Sequence, residues 1–306
     1  MGSIVAGLIP IAGAIILGWL IRRTGLIPAD LWGGITRLSY VALLPALIFV
    51  TIARTDVVSL PAGGFLAAAT IGFLAMAGIA LALKPLLRTD DPTFTSVFQG
   101  AIRWNGFVIL ALAQAALTPQ QAALTALVFV PTIPLINIMA VAALSVWGSR
   151  GGGVQFGPVL MRIVTNPLIL GTVAGLVVST LPYQLPSALF ETADLIGRAA
   201  LPLILLTVGA GLDFSAVKAN PALLVVAISL KLVVAPLVFM LIGQTLGLSQ
   251  ETIVVLVAVG AAPGAASSYV LARELGGNAE LTAGHVTMTT ILAFISLPIW
   301  IAVAAG

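Results

Sequence analysis

The sequence contains no cysteine, so disulfide bonds and thiolate metal sites are excluded. Charged side chains are also scarce, at 8% of the residues, whereas a typical soluble domain has about 25%. Hydrophobic residues make up 60% of the chain. Because a soluble fold of 306 residues could not bury so much apolar surface, the composition predicts a protein embedded in lipid.

Several functional signatures are missing as well. The sequence has no HExxH motif, no GxSxG motif followed by a partner histidine, no paired intramembrane aspartates and no Walker-type loop. We therefore expect no enzyme activity, no cofactor, no metal site and no ATP-driven pumping. The net charge of +3 arises from basic residues scattered singly at helix ends, which does not indicate a nucleic-acid partner.

Ten apolar runs follow one another with short connections, and at about 20 residues per span they predict an all-α protein with ten transmembrane helices. The runs are Ile4–Ile21, Ile35–Ala53, Pro61–Leu87, Phe94–Leu117, Gln120–Trp147, Val159–Leu181, Ala188–Leu212, Pro221–Leu246, Glu251–Leu275 and Glu280–Ala305.

The charges in the loops predict the orientation. Basic residues concentrate in the loops after helices one, three, five, seven and nine, namely Arg22, Arg23, Lys84, Arg88, Arg150, Lys218 and Arg273. The opposite side holds little beyond Arg54. By the positive-inside rule, we expect the first set to face the cytoplasm and both termini to lie outside a bacterial inner membrane.

The two halves of the sequence resemble each other. Residues that recur about 157 to 160 positions later are Pro10, Gly18, Leu44, Pro45, Asp56, Pro61 and the pair Gly100-Ala101. We therefore divide the chain into a first five-helix repeat (1–147), a short cytoplasmic linker (148–158) and a second repeat (159–306). Because five is an odd number of spans, the second repeat is expected to be inverted, as is typical of secondary transporters.

Helices four and nine carry paired helix-breaking segments. Arg103, Asn105 and Gly106 interrupt helix four, and Pro263-Gly264 interrupts helix nine before Ser267, Ser268 and Tyr269. A broken helix is tolerated where it lines a cavity, and its free amides suit a carboxylate. The pair therefore predicts a substrate site, although simple packing kinks are the alternative.

Three ionisable side chains, those of Arg103, Lys231 and His285, fall inside spans that contain no evident carboxylate partner. An anionic substrate or the carbonyl end of a helix could neutralise the positive charge of Arg103. Lys231 could extend its amine to the membrane surface or cap the carbonyl end of a helix. His285 is expected to be neutral and hydrogen-bonded, with proton transport as the alternative. Asn137 is expected to join helices, and Asn166 to cap the helix that begins at Pro167.

At these positions the sequence resembles the auxin efflux carrier family, which includes plant auxin exporters and bacterial malate and malonate permeases. The resemblance covers essentially the whole chain. The segments that carry it are Leu44–Phe49, Ala101–Asn105, Asn166–Leu170, Leu201–Leu203, Leu230–Val233, Ala262–Pro263, Tyr269–Arg273 and Thr289–Pro298.

The resemblance implies a fold in which helices one, two, six and seven form a dimerising scaffold. Helices three to five and eight to ten would form a transport domain, with helices four and nine crossing beneath the substrate. Asn105 aligns with the family's carboxylate-binding asparagine. The short segment Gly148–Gly157 replaces the long cytoplasmic loop of the plant proteins, and Asn105-Gly106 lacks their proline.

We therefore expect a secondary transporter of small organic anions, auxin-like or dicarboxylate, that works by an elevator-type mechanism in the lipid bilayer as a homodimer. The expected substrate-binding residues are Arg103, Asn105, Gly106, Pro263, Gly264, Ala265, Ser267, Ser268, Pro45 and Phe49. The expected supporting or proton-coupling residues are Lys231, His285, Asn137 and Tyr269. A sodium-coupled symporter of the bile-acid type is the alternative, disfavoured because no acidic cluster adjoins Pro263, and a channel or membrane sensor is another.

Overall fold

The computed structural model describes residues 2–149, 161, 165–181, 186–218 and 220–306. Within these ranges the chain is helical and contains no strand, which confirms the all-α prediction. Among the same residues, eight helical segments are long and apolar enough to cross a membrane, and two shorter apolar helices are Pro167–Ser179 and Gln250–Gly260. The total of ten spans and the inverted repeat stay predictions.

The helices often continue one another across a short break or a turn of different geometry. In chain order they are α1 Gly2–Thr24, α2 Leu31–Leu38, α3 Leu44–Ala53, α4 Ala62–Leu87, α5 Asp91–Ile102, α6 Gly106–Ala116, α7 Pro119–Leu127, α8 Phe129–Trp147, α9 Pro167–Ser179, α10 Ser187–Arg198, α11 Ala200–Ala210, α12 Pro221–Ser229, α13 Ala235–Thr245, α14 Gln250–Gly260, α15 Ser267–Leu275 and α16 Ala279–Ala305. π-helical turns at Ser39–Leu43 and Leu230–Val234 join α2 to α3 and α12 to α13.

Side-chain caps fix the start of several helices by accepting backbone N–H groups that have no partner in the first turn. The Asn166 side chain accepts the N–H of Leu168 at 2.9 Å, at the start of α9. This confirms the predicted cap, and the same side chain also donates to the Tyr40 hydroxyl at 2.9 Å. The Asn278 side chain caps α16 by accepting the N–H of Leu281 at 2.9 Å.

The chain divides into two compact units, each assembled from separate parts of the sequence. The first unit comprises Met1–Gly63, Phe107–Val130 and Leu160–Gly211. The second unit comprises Gly64–Gly106, Pro131–Val159 and Leu212–Gly306. Both units therefore draw on both predicted repeats. The predicted linker, 148–158, lies outside the described residues from position 150 onward, and Arg150 lies there too.

In the first unit, α1 and α11 pack with their backbones in direct contact. A Cβ atom at Gly18 would overlap the carbonyl of Leu206, and one at Gly209 would overlap the carbonyl of Ile15. Glycine at both positions therefore permits the close approach, as is common where membrane helices associate through small residues.

In the second unit, two short helices are almost completely buried. Every residue of α5 from Thr93 to Ile102 is buried, and so is every residue of α14 from Thr252 to Gly260. Both helices consist mainly of small and apolar residues, so they can pack inside the unit without leaving charged groups unpaired. Each of these buried helices ends at one of the predicted breaks.

Candidate functional site

The first break follows α5 within the second unit. Arg103 adopts an extended conformation with φ −83° and ψ 138°, although its N–H still donates to the carbonyl of Gln99 at 2.8 Å. Helix α6 starts only at Gly106. Asparagine and glycine have low helix propensity, so the Asn105-Gly106 pair favours an interruption here. Residues 103–105 are called the first interruption below.

The second break separates α14 from α15. Helix α14 ends at Gly260, α15 begins at Ser267, and residues 261–266 between them are not helical. Pro263 explains the break, because it has no N–H to donate and disfavours a helical conformation at the preceding residue, Ala262. Residues 261–266 are called the second interruption below.

The two interruptions are in direct contact. The backbone N–H of Asn105 donates to the carbonyl of Pro263 at 2.8 Å. Each break therefore satisfies one backbone group of the other, which a membrane protein requires of non-helical backbone. Trp104, 7% exposed, adds packing, since its ring lies 6.0 Å from that of Phe73.

Arg103 brings a positive charge to this contact. Its side chain is 5% exposed; Nη1 donates to the Ser267 hydroxyl at 2.9 Å, and Nη2 donates to the Asn137 side-chain oxygen. Both partners are neutral, and within the described ranges Nε has no hydrogen-bond partner and the guanidinium has no carboxylate partner. Asn137 therefore orients Arg103, and the charge itself is left without a counter-ion.

Asn105 places an amide at the same contact. It is 4% exposed, and its Oδ1 has no hydrogen-bond partner among the described residues. The oxygen and nitrogen of an asparagine amide exchange places when the group rotates by half a turn. The side chain can therefore present a donor to a carboxylate, whereas its backbone N–H is already occupied by Pro263.

The N–H of Gly264 is already hydrogen-bonded, although free N–H groups are expected at a broken helix. Its N–H donates to the Thr289 hydroxyl at 3.0 Å, and that hydroxyl donates to the carbonyl of His285 at 2.6 Å. This amide is therefore used to attach the second interruption to α16. In the structure as it stands, the Gly264 N–H is not available to a substrate.

The other predicted substrate-binding residues, and the supporting residue Tyr269, fall into three environments. Gly106 and Ser268 are buried, Ala265 is half-buried, and Ser267 and Tyr269 are exposed on α15. The exposed Ser267 still reaches Arg103, so that contact lies at the accessible edge of the interruptions. Pro45 and Phe49 belong to α3 in the first unit, where the Phe49 ring stacks on that of Phe190 at 5.8 Å.

Lys231 and His285 are buried in the second unit. Lys231 lies in the π-helical turn Leu230–Val234 with 0% exposure, and its Nζ contacts no hydrogen-bond acceptor in the described part of the chain. It therefore neither snorkels to the surface nor caps a described carbonyl end. His285 is 1% exposed, and its helix α16 packs against the turn that holds Lys231.

Two residues beside the interruptions were not among the predicted site residues. Gln99 is fully buried one turn before Arg103, and neither its Oε1 nor its Nε2 has a partner in the described ranges. An amide side chain in a membrane-spanning run, four residues before a break, was the signal for it. Thr289 supports the second interruption, but it is one of four threonines in α16, so the sequence does not single it out.

Known proteins resemble this chain in sequence. A family model described as "Membrane transport protein" matches residues 156–301. A protein of Rhizobium meliloti (strain 1021), named as a proposed malonate transporter, is 28% identical over 302 residues, covering 96% of this chain and 93% of that protein. An uncharacterised protein of Methanothermobacter thermautotrophicus, named as a transporter, is 27% identical over 153 residues, half of each chain.

These proteins are named as transporters and not as enzymes, in agreement with the absence of enzyme motifs from the sequence. In sequence the chain is therefore similar to membrane transport proteins, and its apolar helices agree with a multi-pass membrane protein.

Proposed function

We propose that the protein carries small organic carboxylates across the membrane, and dicarboxylates such as malonate in particular, by binding them where the two interruptions meet. The observation that carries this proposal is the environment of Arg103. A buried cation with only neutral described partners needs a counter-ion, and a carboxylate would supply one. Asn105 beside it would add a hydrogen bond.

The relatives support the class of substrate. The relative of nearly full length is named as a proposed transporter of malonate, which carries two carboxylates. Arg103 offers a free Nε to one carboxylate oxygen, and guanidinium groups suit carboxylates because several N–H donors lie in one plane. An auxin-like monocarboxylate would satisfy the same donor, so it is included in the test.

The proposed mechanism is of the elevator type. In it, the unit that holds both interruptions carries the substrate across the membrane, and the other unit, with helices one, two, six and seven, is the scaffold through which two copies associate. The division of the chain into two compact units supports this proposal. It differs from the sequence-based assignment at Phe107–Val130, which clusters with the first unit.

Counterflow in proteoliposomes tests the proposal. Vesicles loaded with unlabelled malonate should accumulate labelled malonate transiently and saturably, whereas a channel or a sensor would give no such accumulation. Competition by malate and by an auxin-like monocarboxylate ranks the substrates. Replacing sodium by potassium distinguishes the sodium-coupled alternative, for which counterflow would fall. Absence of counterflow with every carboxylate would contradict the proposal.

A further inference from the structure

Among the described residues, the helices around Lys231 contain no buried carboxylate that could neutralise it. The π-helical turn that holds Lys231 packs against α5, α12, α13 and α16. The titratable side chains on those four helices are Asp91, Glu280 and His285, and Arg103 follows the end of α5. Asp91 is exposed and paired with Lys84 at 2.8 Å, and Glu280 is exposed in the first turn of α16. His285 is therefore the buried titratable side chain on these four helices.

One ring nitrogen of His285 is left without a described partner. Nε2 of the buried imidazole has no hydrogen-bond partner among the described residues. A neutral imidazole carries one proton on its two nitrogens, so it can accept a second one. That proton would convert the ring to an imidazolium.

His285 lies directly against both interrupted segments. A Cβ atom added at Gly100, in the last turn of α5, would lie 3.1 Å from Nε2. A Cβ atom added at Gly264, in the second interruption, would lie 2.9 Å from Nδ1. The two glycines thus make room for the ring, and a change in its charge would act at short range on the contact that holds Arg103 and Asn105.

From these contacts we propose that Lys231 and His285 form a buried proton-binding site that is coupled to the anion site at the two interruptions. This inference rests on the proposed function, because it requires an anion to bind at Arg103 and Asn105. A hydronium ion transfers its proton to the unprotonated ring nitrogen of His285 and leaves water. One N–H bond forms, one positive charge is added, and no electron is transferred. Because the two groups interact, the proton belongs to the pair rather than to one residue.

The coupling follows from the charges. A second positive charge beside Lys231 is unfavourable in the buried site, and an anion at Arg103 and Asn105 would offset it. Linkage is reciprocal, so the anion must strengthen proton binding by the same factor by which the proton strengthens anion binding. Typical coupling of this kind changes affinity by about 5- to 150-fold.

Proton uptake on anion binding tests the proposal without any variant. Malonate is added to the purified protein in weakly buffered detergent solution, at pH values where both malonate carboxyls are ionised, and a pH indicator records proton uptake. Uptake that saturates together with malonate binding is expected. Binding without proton uptake would overturn the coupling and leave the proposed function standing, whereas no malonate binding would contradict the proposed malonate transport itself.

Variants of Lys231 and His285 test whether these two residues bind the proton that is taken up. His285→Asn keeps a polar side chain in the buried site but cannot hold the additional proton, so in this variant the affinity for malonate should lose its pH dependence. Lys231→Met should change the pH at which uptake occurs. Lys218→Met, which removes an exposed lysine, should behave as the wild type. Proton uptake that is unchanged in both His285→Asn and Lys231→Met would overturn the assignment.

Discussion

The guanidinium of Arg103 donates to the hydroxyl of Ser267 at 2.9 Å, although 164 positions separate the two residues. Arg103 belongs to the first interruption, and Ser267 begins the helix after the second. The bond therefore ties a buried cation to both interruptions. Nε of Arg103 has no partner among the described residues, so the same side chain can hold the two segments together and still face an anion.

Replacing Arg103 by glutamine should weaken anion binding more than it weakens folding. Gln keeps donors for Ser267 and Asn137 but removes the charge. A hydrogen bond to a charged group contributes about 1.5–3 kcal/mol, so malonate affinity should fall roughly ten- to a hundred-fold. Equilibrium binding and the thermal unfolding midpoint in detergent measure the two effects. Unchanged affinity in a folded variant would exclude Arg103 from the site.

Asn105→Ala removes the amide while leaving the backbone N–H bond to Pro263 in place. Affinity for malonate should again fall roughly ten- to a hundred-fold, the loss of one hydrogen bond to a carboxylate. Asn105→Asp is the matched variant, because it has almost the same shape but brings a negative charge toward an anionic ligand. Binding by Asn105→Asp should be weaker than by Asn105→Ala. The opposite order would contradict direct contact with a carboxylate.

The sequence predicted the positions of both interruptions because proline and the Asn-Gly pair act locally on the backbone. It also identified Arg103, Lys231 and His285, since an ionisable residue in an apolar run is conspicuous. It could not show which backbone groups are already bonded. The N–H groups of Asn105 and Gly264 are taken by Pro263 and Thr289, and such pairings depend on contacts between segments far apart in the sequence.

Gly264→Ala should disturb the second interruption. The added Cβ would lie 2.9 Å from Nδ1 of His285 and 3.2 Å from the Thr289 hydroxyl, and overpacking of this kind costs about 1–3 kcal/mol. The unfolding midpoint should fall and malonate should bind more weakly.

The matched control for Gly264→Ala is Gly78→Ala, at a position in α4 where no atom lies within 4 Å of the added Cβ. Alanine favours a helix interior over glycine by up to about 1 kcal/mol, so this control should be neutral or more stable. Equal behaviour of the two variants, in unfolding midpoint and in binding, would show that space at Gly264 is not limiting.

The orientation in the membrane can be tested at two exposed loop positions, because the absence of cysteine makes every introduced cysteine the single thiol of the chain. Lys218 lies in the loop after α11, on the side where basic residues concentrate, and Val58, 82% exposed, lies in the loop between α3 and α4 on the opposite side. The positive-inside rule therefore places Lys218 in the cytoplasm and Val58 outside.

In intact cells of a bacterial expression host, a membrane-impermeant maleimide should label Val58→Cys at once and Lys218→Cys only after the membrane is permeabilised. Labelling of both variants in denaturing detergent controls for expression and thiol reactivity. The reverse pattern in intact cells would place both termini in the cytoplasm and invert the predicted topology.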